Sequence, residues 1–224
     1  MKKTVAILMA AIVLAAGLCS CSHTVRLKFN DNGEIVGKGG LSYNYAPIGY
    51  EPTYQGEKWA YLEDEIGHDL YTIGDEDPEK WLTEEYTGAT TMIFYSSDID
   101  LPALAEMRPV TAYLCEQDEN VYSISTIGDG GDGETGRQAI DKAVELLETG
   151  EKCMWPRTNS TATFQLKMYS PDWPAFYYNL VYTVCPDGNY LYDRVTEKCV
   201  EIGDILTAYH SEANAESSAE TKTV

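Results

Sequence analysis

Four apolar runs in the last third of the chain, three of them with aromatic residues, constrain its fold more than any other feature. Turn-forming stretches separate them, such as Pro-Asp-Trp-Pro at 171–174 and Pro-Asp-Gly-Asn at 186–189. Short runs bounded by Gly, Pro, Asn and Asp are typical of β-strands. The pattern therefore predicts an antiparallel meander, with strands at 161–169, 176–185, 189–192 and 199–202.

Two hairpins are predicted upstream of this meander. Asn32-Gly33 lies between the alternating run Val25–Phe29 and Ile35-Val36, and an Asn-Gly between two such runs is the strongest short-range hairpin signal. The runs 110–116 and 121–127 flank the polar residues 118–120 and predict a second hairpin.

Helix signals appear in two places. Thr135 and Gln138 have capping-box spacing, an apolar stripe follows from 139 to 147, and Gly150 is a stop signal. Asp77-Pro78-Glu79 predicts a second, short helix that ends near Tyr86. We therefore expect an α+β domain at 25–210, mostly antiparallel, with one clear amphipathic helix and a second short one. An all-β sandwich is the alternative, and the small polar residues 211–224 predict a disordered tail.

The amino terminus resembles an export signal. Lys2 and Lys3 precede a run without charge from 4 to 18. As a helix this run would span about 22 Å, less than the roughly 30 Å of a bilayer core. A positive start followed by a short apolar run is typical of a signal peptide rather than a membrane span.

The end of that run, Leu18-Cys19-Ser20-Cys21, resembles the lipobox of bacterial lipoproteins. The resemblance covers about 21 residues, and Cys19 is an unusual residue at its place. It implies that residues 1–20 are removed and that Cys21 carries the lipid, palmitate included. Residues 21–24 would then be a short tether to the outer face of the cell membrane or to the outer membrane. The alternatives are a secreted protein cleaved after Gly17, or an uncleaved anchor.

Composition restricts the partners. The chain carries 36 acidic and 16 basic residues, a formal charge of −20. Nucleic acid is excluded as a partner, since phosphates need clustered Lys and Arg. Anionic headgroups repel such a domain, so the covalent lipid alone would hold it to the membrane.

Four cysteines remain beyond Cys21, namely Cys115, Cys153, Cys185 and Cys199. In an exported domain they permit two disulfides with three pairings, and four free thiols are the alternative. A regular meander disfavours the pair Cys185–Cys199. Two strand spacings, about 9.5 Å, exceed the roughly 7 Å limit between Cα atoms. No Cys-x-x-Cys is present.

Acidic residues supply the metal and catalytic candidates. Asp129, Asp132 and Glu134 lie in a Gly-rich loop that lacks EF-hand spacing; they are candidate calcium ligands, or part of a plain acidic connector.

The run 63–85 holds ten acids and one base. It could supply a glycosidase pair if two carboxylates met in a cleft, and a solvated acidic face is the alternative. A Cys115–His68 pair has no specific support, and we predict no catalytic residue and no cofactor. The ten acids are Glu63, Asp64, Glu65, Asp69, Asp75, Glu76, Asp77, Glu79, Glu84 and Glu85.

Tyrosines crowd one irregular stretch. Tyr43, Tyr45, Tyr50 and Tyr54 are a candidate binding platform, with core packing as the alternative. We expect a lipid-anchored, non-catalytic binding or structural envelope domain, whose partner is a protein, a glycan or a cationic ligand. The rivals are a carboxylate hydrolase acting on envelope or extracellular polymers, and a calcium-stabilised surface domain.

Overall fold

A computed structural model describes residues 24–86, 92–116, 123–156 and 160–210. The predicted signal peptide, Cys21 and the predicted tail lie outside these ranges. No helix within them is long and apolar enough to cross a membrane.

The predicted α+β class is wrong, because the protein is mostly β, with a closed seven-stranded barrel and a second sheet. The alternative of an all-β sandwich is also wrong, because the strands of the first half of the chain close into a barrel instead of forming one of two open sheets. Within the described ranges, one helix is longer than four residues.

The barrel is built from the first half of the chain. Its strands follow one another around the wall in the order β1-β2-β3-β8-β7-β6-β5. Neighbours are antiparallel except where β1 pairs β5 in parallel, with Leu27 opposite Leu62, and this pairing closes the barrel. The strands are β1 Val25–Phe29, β2 Ile35–Gly37, β3 Ser42–Ala46, β5 Gln55–Glu63, β6 His68–Ile73, β7 Trp81–Glu84 and β8 Ile93–Ser96.

Barrel residues alternate between an inner and an outer core. Leu82 and Phe94 belong to the inner core, whereas their neighbours Trp81 and Ile93 belong to a larger core shared with the second sheet. Burial on both sides explains why consecutive residues are buried at Trp81-Leu82-Thr83 in β7 and at Ile93-Phe94 in β8. The inner core comprises Leu27, Ile35, Tyr43, Ala60, Leu62, Leu70, Leu82 and Phe94.

The predicted second helix is strand β7 instead. Asp77 does begin a helical turn: its side chain accepts from the Glu79 N–H at 3.0 Å, and its carbonyl accepts from Trp81. The chain then extends, because Trp81 and Leu82 are buried between β6 and β8. Tertiary pairing overrides the local helix signal.

The second sheet carries the C-terminal meander. Its order is β10-β9-β11-β12-β13-β14, and the short strand β4, Gly49–Tyr50, pairs with the start of β12. All pairs are antiparallel. The other strands are β9 Thr111–Glu116, β10 Ser123–Gly128, β11 Ala162–Tyr169, β12 Phe176–Cys185, β13 Gly188–Asp193 and β14 Lys198–Glu201.

One face of this sheet is covered by helix and barrel. Helix α2, Glu134–Thr149, buries Ile140, Ala143 and Leu147 in the shared core, and the short helix α1, Leu104–Met107, packs beside it. The barrel joins the same core, where the Trp81 and Phe176 ring centroids are 4.7 Å apart. The predicted Thr135–Gln138 capping box is wrong, since α2 begins at Glu134 after Gly133 and has no side-chain cap.

The inner barrel core predicts a large effect of one truncation. Leu70→Ala should lower the free energy of unfolding by about 2–5 kcal/mol, because Leu70 is 0% exposed and its removal leaves a cavity. Ile66, 85% exposed in the turn before β6, is the matched control, and Ile66→Ala should change stability by less than about 0.5 kcal/mol. Urea denaturation measures both. Equal effects of the two substitutions would contradict this core.

Candidate functional site

The opposite face of the second sheet carries tyrosines and polar side chains. Strand registers place the alternate residues of β9, β11, β12 and β13 there, facing away from α2. On β11, for example, Leu166 belongs to the shared core while its neighbour Lys167 lies on the opposite face. We call this surface the tyrosine face. It comprises Tyr113, Gln165, Lys167, Tyr169, Tyr177, Asn179, Tyr190 and Tyr192. Gln165 is buried, and the other seven are half-buried.

Three rings and one ammonium group form the centre of the tyrosine face. The Tyr169 ring centroid lies 5.1 Å from that of Tyr113 and 5.3 Å from that of Tyr177. Lys167 Nζ lies 4.8 Å from the Tyr177 centroid, a cation–π distance. Cross-strand pairing of Lys167 with both Tyr113 and Asn179 fixes this arrangement.

Glu51 brings a carboxylate from the barrel side to this cluster. It follows β4, and its backbone N–H donates to the Ala175 carbonyl at 2.9 Å. The Tyr169 hydroxyl donates to Glu51 Oε1. Burial, reinforced by Glu51, raises the pKa of Tyr169 and of Tyr177 far above the ordinary range. Both hydroxyls therefore stay protonated at neutral pH and act as hydrogen-bond donors, not as bases.

Two amides lie next to the rings. Asn179 Nδ2 donates to Gln165 Oε1 at 3.1 Å. Asn179 Oδ1 is buried, and no described residue donates to it. A buried acceptor without a donor costs free energy, and an ordered water or a ligand group can supply the donor.

A second aromatic patch lies toward the β14 edge. The segment after α2 follows this edge, where the Cys153 N–H donates to the Cys199 carbonyl at 2.9 Å. Trp155 then stacks on Tyr192, with centroids 4.7 Å apart and ring planes at 2°. Its Nε1 donates to Thr183 Oγ1 at 3.1 Å, which fixes the indole on the sheet.

The predicted tyrosine platform is divided between core and surface. Tyr43 and Tyr50 are buried, and the Tyr43 hydroxyl donates to the Pro78 carbonyl at 3.0 Å. Tyr45 and Tyr54 are 48% and 38% exposed. The four residues therefore do not share one exposed surface. The sequence reasoning missed the tyrosine face, although the alternation of Gln165, Lys167 and Tyr169 with apolar neighbours is a signal for it.

The candidate calcium residues are engaged in other contacts. Asp132 Oδ1 accepts from the Gly128 N–H at 3.0 Å and Oδ2 from the Tyr209 hydroxyl at 2.7 Å. Burial opposes ionisation of Asp132, yet these hydrogen bonds lower its pKa. Asp129 forms an ion pair with Arg137. Among the described residues, no group of three or more His, Cys, Asp or Glu could hold a metal ion.

Acids of the 63–85 run form ion pairs on the barrel surface. Glu63 pairs with Arg26 at 2.5 Å and Asp69 with Lys58 at 2.6 Å. Asp64 lies 3.1 Å from His68, and the two form an ion pair when that imidazole is protonated. A cavity of about 290 Å³ lies instead between the end of α1 and helix α2. No residue of the run lines that cavity, whose walls include Arg108, Asp141 and Glu148.

The cysteines are free thiols at the positions that the structure describes. Cys115 is buried, and burial raises the pKa of its thiol, which disfavours a nucleophilic role. Strand β13 lies between Cys185 and Cys199, as the argument against that disulfide assumed.

Comparison with known proteins gives no relative. No protein-family model matches the chain, and neither a curated protein nor a solved structure matches it.

Gly49 provides a test of the packing beneath the tyrosine face. A Cβ added at Gly49 would lie 2.0 Å from Tyr177 Cζ, so Gly49→Ala should displace the Tyr177 ring and lower the free energy of unfolding by about 1–3 kcal/mol. In a Tyr177→Ala background the same substitution should cost clearly less, because the obstructing ring is gone. Urea denaturation of the unaltered protein, the two single variants and the double variant measures the coupling free energy between the two residues. Additive costs would show that the two residues are not in contact.

Proposed function

We propose that this chain is an exported, lipid-anchored bacterial protein that binds a neutral glycan on its tyrosine face, without catalysis. The supporting observation is the buried, unpartnered Asn179 Oδ1 beside an array of aromatic rings. The glycan is the ligand class that uses both features together.

The chemistry of the face suits a sugar. Aromatic rings offer flat apolar surfaces on which the C–H face of a pyranose can stack, and a few placed polar groups fix its orientation. A sugar hydroxyl can accept from the Lys167 ammonium, and it can donate to Asn179 Oδ1 once the side chains that bury this oxygen move aside. Glu51 and Gln165 add acceptors close by.

The charge of the chain favours a neutral ligand. A formal charge of −20 repels anionic polysaccharides at long range. Lys167 is the cation at the centre of the face, and it lies over the Tyr177 ring. The preference of the tyrosine face among ligands should therefore depend on stacking and hydrogen bonding rather than on ion pairing.

The lipobox resemblance gives the anchoring part of the proposal. Cys21 stands three residues before the first described residue, Thr24, and β1 begins at Val25. Such a short tether would hold the domain close to the membrane. A lipid on Cys21 would supply the several acyl chains that stable anchoring requires.

The anchor predicts a change of cell fraction. Cys21→Ser should release the chain from the membrane fraction, because no other lipid acceptor with lipobox spacing is present. Cys19→Ser is the matched control and should leave the chain membrane-bound. Fractionation with immunodetection, supported by intact-mass analysis for acyl groups, measures both. A Cys21→Ser variant that stays on the membrane would refute lipidation at that residue.

The binding proposal is tested on an array of neutral oligosaccharides. Asn179→Ala should weaken binding about 3–10-fold through loss of one hydrogen bond, and it should also lower the free energy of unfolding by about 1 kcal/mol because the hydrogen bond to Gln165 is lost. Tyr177→Ala should weaken it about tenfold or more through loss of stacking. Tyr45→Ala, exposed on the barrel and outside the tyrosine face, is the control. Absence of any binding, or equal binding by the Asn179 variant, would contradict the proposal.

A further inference from the structure

We propose that Cys153 and Cys199 form a disulfide in the oxidised protein, with Cys115 and Cys185 left as thiols. This inference uses the geometry at the β14 edge and does not depend on glycan binding.

Backbone contact brings the two cysteines within bonding range. The Cys153 N–H donates to the Cys199 carbonyl at 2.9 Å. In an antiparallel pair that exchanges two such bonds the Cα atoms are about 5.5 Å apart, which lies inside the range of about 4.4–6.8 Å for disulfides, and this one bond places Cys153 and Cys199 near that separation. The Cys199 thiol interacts with that of Cys153, so the two side chains lie close together.

The sheet register separates the other cysteines from this pair. Cys115 and Cys199 lie in one row across the sheet, joined through Gln165, Val181 and Tyr192. That row spans four strand spacings, about 19 Å. Cys185 lies on β12 opposite Gly188 of β13, so strand β13 separates it from Cys199 on β14. Neither can replace Cys153 without moving the sheet.

Oxidation would proceed by thiol–disulfide exchange with an external disulfide. The partly exposed Cys153 thiolate attacks one sulfur of the reagent, forms a mixed disulfide and releases one thiolate. Cys199, after losing its proton, attacks the Cys153 sulfur and releases the second thiolate. The two protein thiols lose two electrons and two protons in total, and the reagent gains them as two thiols.

The exposure of the two cysteines explains why Cys153 reacts with the reagent first and Cys199 second. Cys199 is buried, and burial, reinforced by the hydrogen bond with Cys153, raises the pKa of its thiol. Cys153 has intermediate exposure at the edge, with the highly exposed Met154 next to it. The external reagent can therefore reach Cys153 first.

The bond would fix a segment that contributes to the tyrosine face. Trp155 is two residues from Cys153 and stacks on Tyr192, the residue opposite Cys199 on β13. A covalent link at 153 holds this indole in place. It also closes a long loop from 153 to 199, and loops of that length are strongly stabilising when closed.

The full chain, purified in detergent, is equilibrated with oxidised and reduced glutathione, alkylated and mapped by mass spectrometry. We expect one intramolecular link, Cys153–Cys199, and a melting midpoint about 5–15 °C higher in the oxidised form. Cys199→Ser should abolish both the link and the shift, and Cys115→Ser, the matched control, should abolish neither. A second readout is acrylamide quenching of Trp155, taken as the difference from a Trp155→Phe variant because the chain has four tryptophans; the quenching should fall on oxidation.

Three results would overturn the proposal. One is four alkylatable thiols at every glutathione ratio. Another is a dominant link that involves Cys185 or Cys115. The third is a Cys199→Ser variant that keeps the oxidation-dependent shift. If Cys199→Ser fails to fold, Cys153→Ser serves in its place, because Cys153 is less buried.

Discussion

The parallel pairing of β1 with β5 is the constraint on which the rest of the structure depends. Without it, both strands would be open edges, and open edges invite pairing with other chains. With Leu27 opposite Leu62, the wall closes around its own small core. The outer side of β7 and β8 is then left to pack on the second sheet through Trp81 and Ile93. That packing places β4 and Glu51 against β12.

The two faces of the second sheet consequently have different surroundings. Helix α2 and the barrel bury one face, while the other keeps tyrosines, two amides and Lys167. A sheet stabilised through one face is free to use the other for recognition. Our proposals for this protein, a glycan on the tyrosine face and a disulfide that secures Trp155, concern this second face and the β14 edge.

Local signals in the sequence predicted local structure well. The Asn32-Gly33 turn, the stop at Gly150 and the long runs of the meander have counterparts in the β1–β2 hairpin, in α2 and in β11–β14. The Asp77-Pro78 signal produced one helical turn, but neighbouring strands decided the conformation of Trp81. Whether Trp81 lies in a helix or in a strand depends on contacts with residues that are distant in sequence.

The closure of the barrel and the existence of the tyrosine face could not be predicted for the same reason. Leu27 and Leu62 are far apart in the chain, and nothing in either run marks the other as its partner. A tyrosine on a strand suits a core and a recognition surface equally well. Tyr43 and Tyr177 differ only in what the finished fold places above them, which no short pattern encodes.

Hydrogen exchange of the β1 backbone tests barrel closure most directly. The account predicts that amides of β1, Val25–Phe29, are protected to the same degree as those of β5 and β6, because all three strands open only when the barrel unfolds. Exchange of the β1 amides many times faster than those of β5, under conditions where β5 and β6 remain protected, would contradict it.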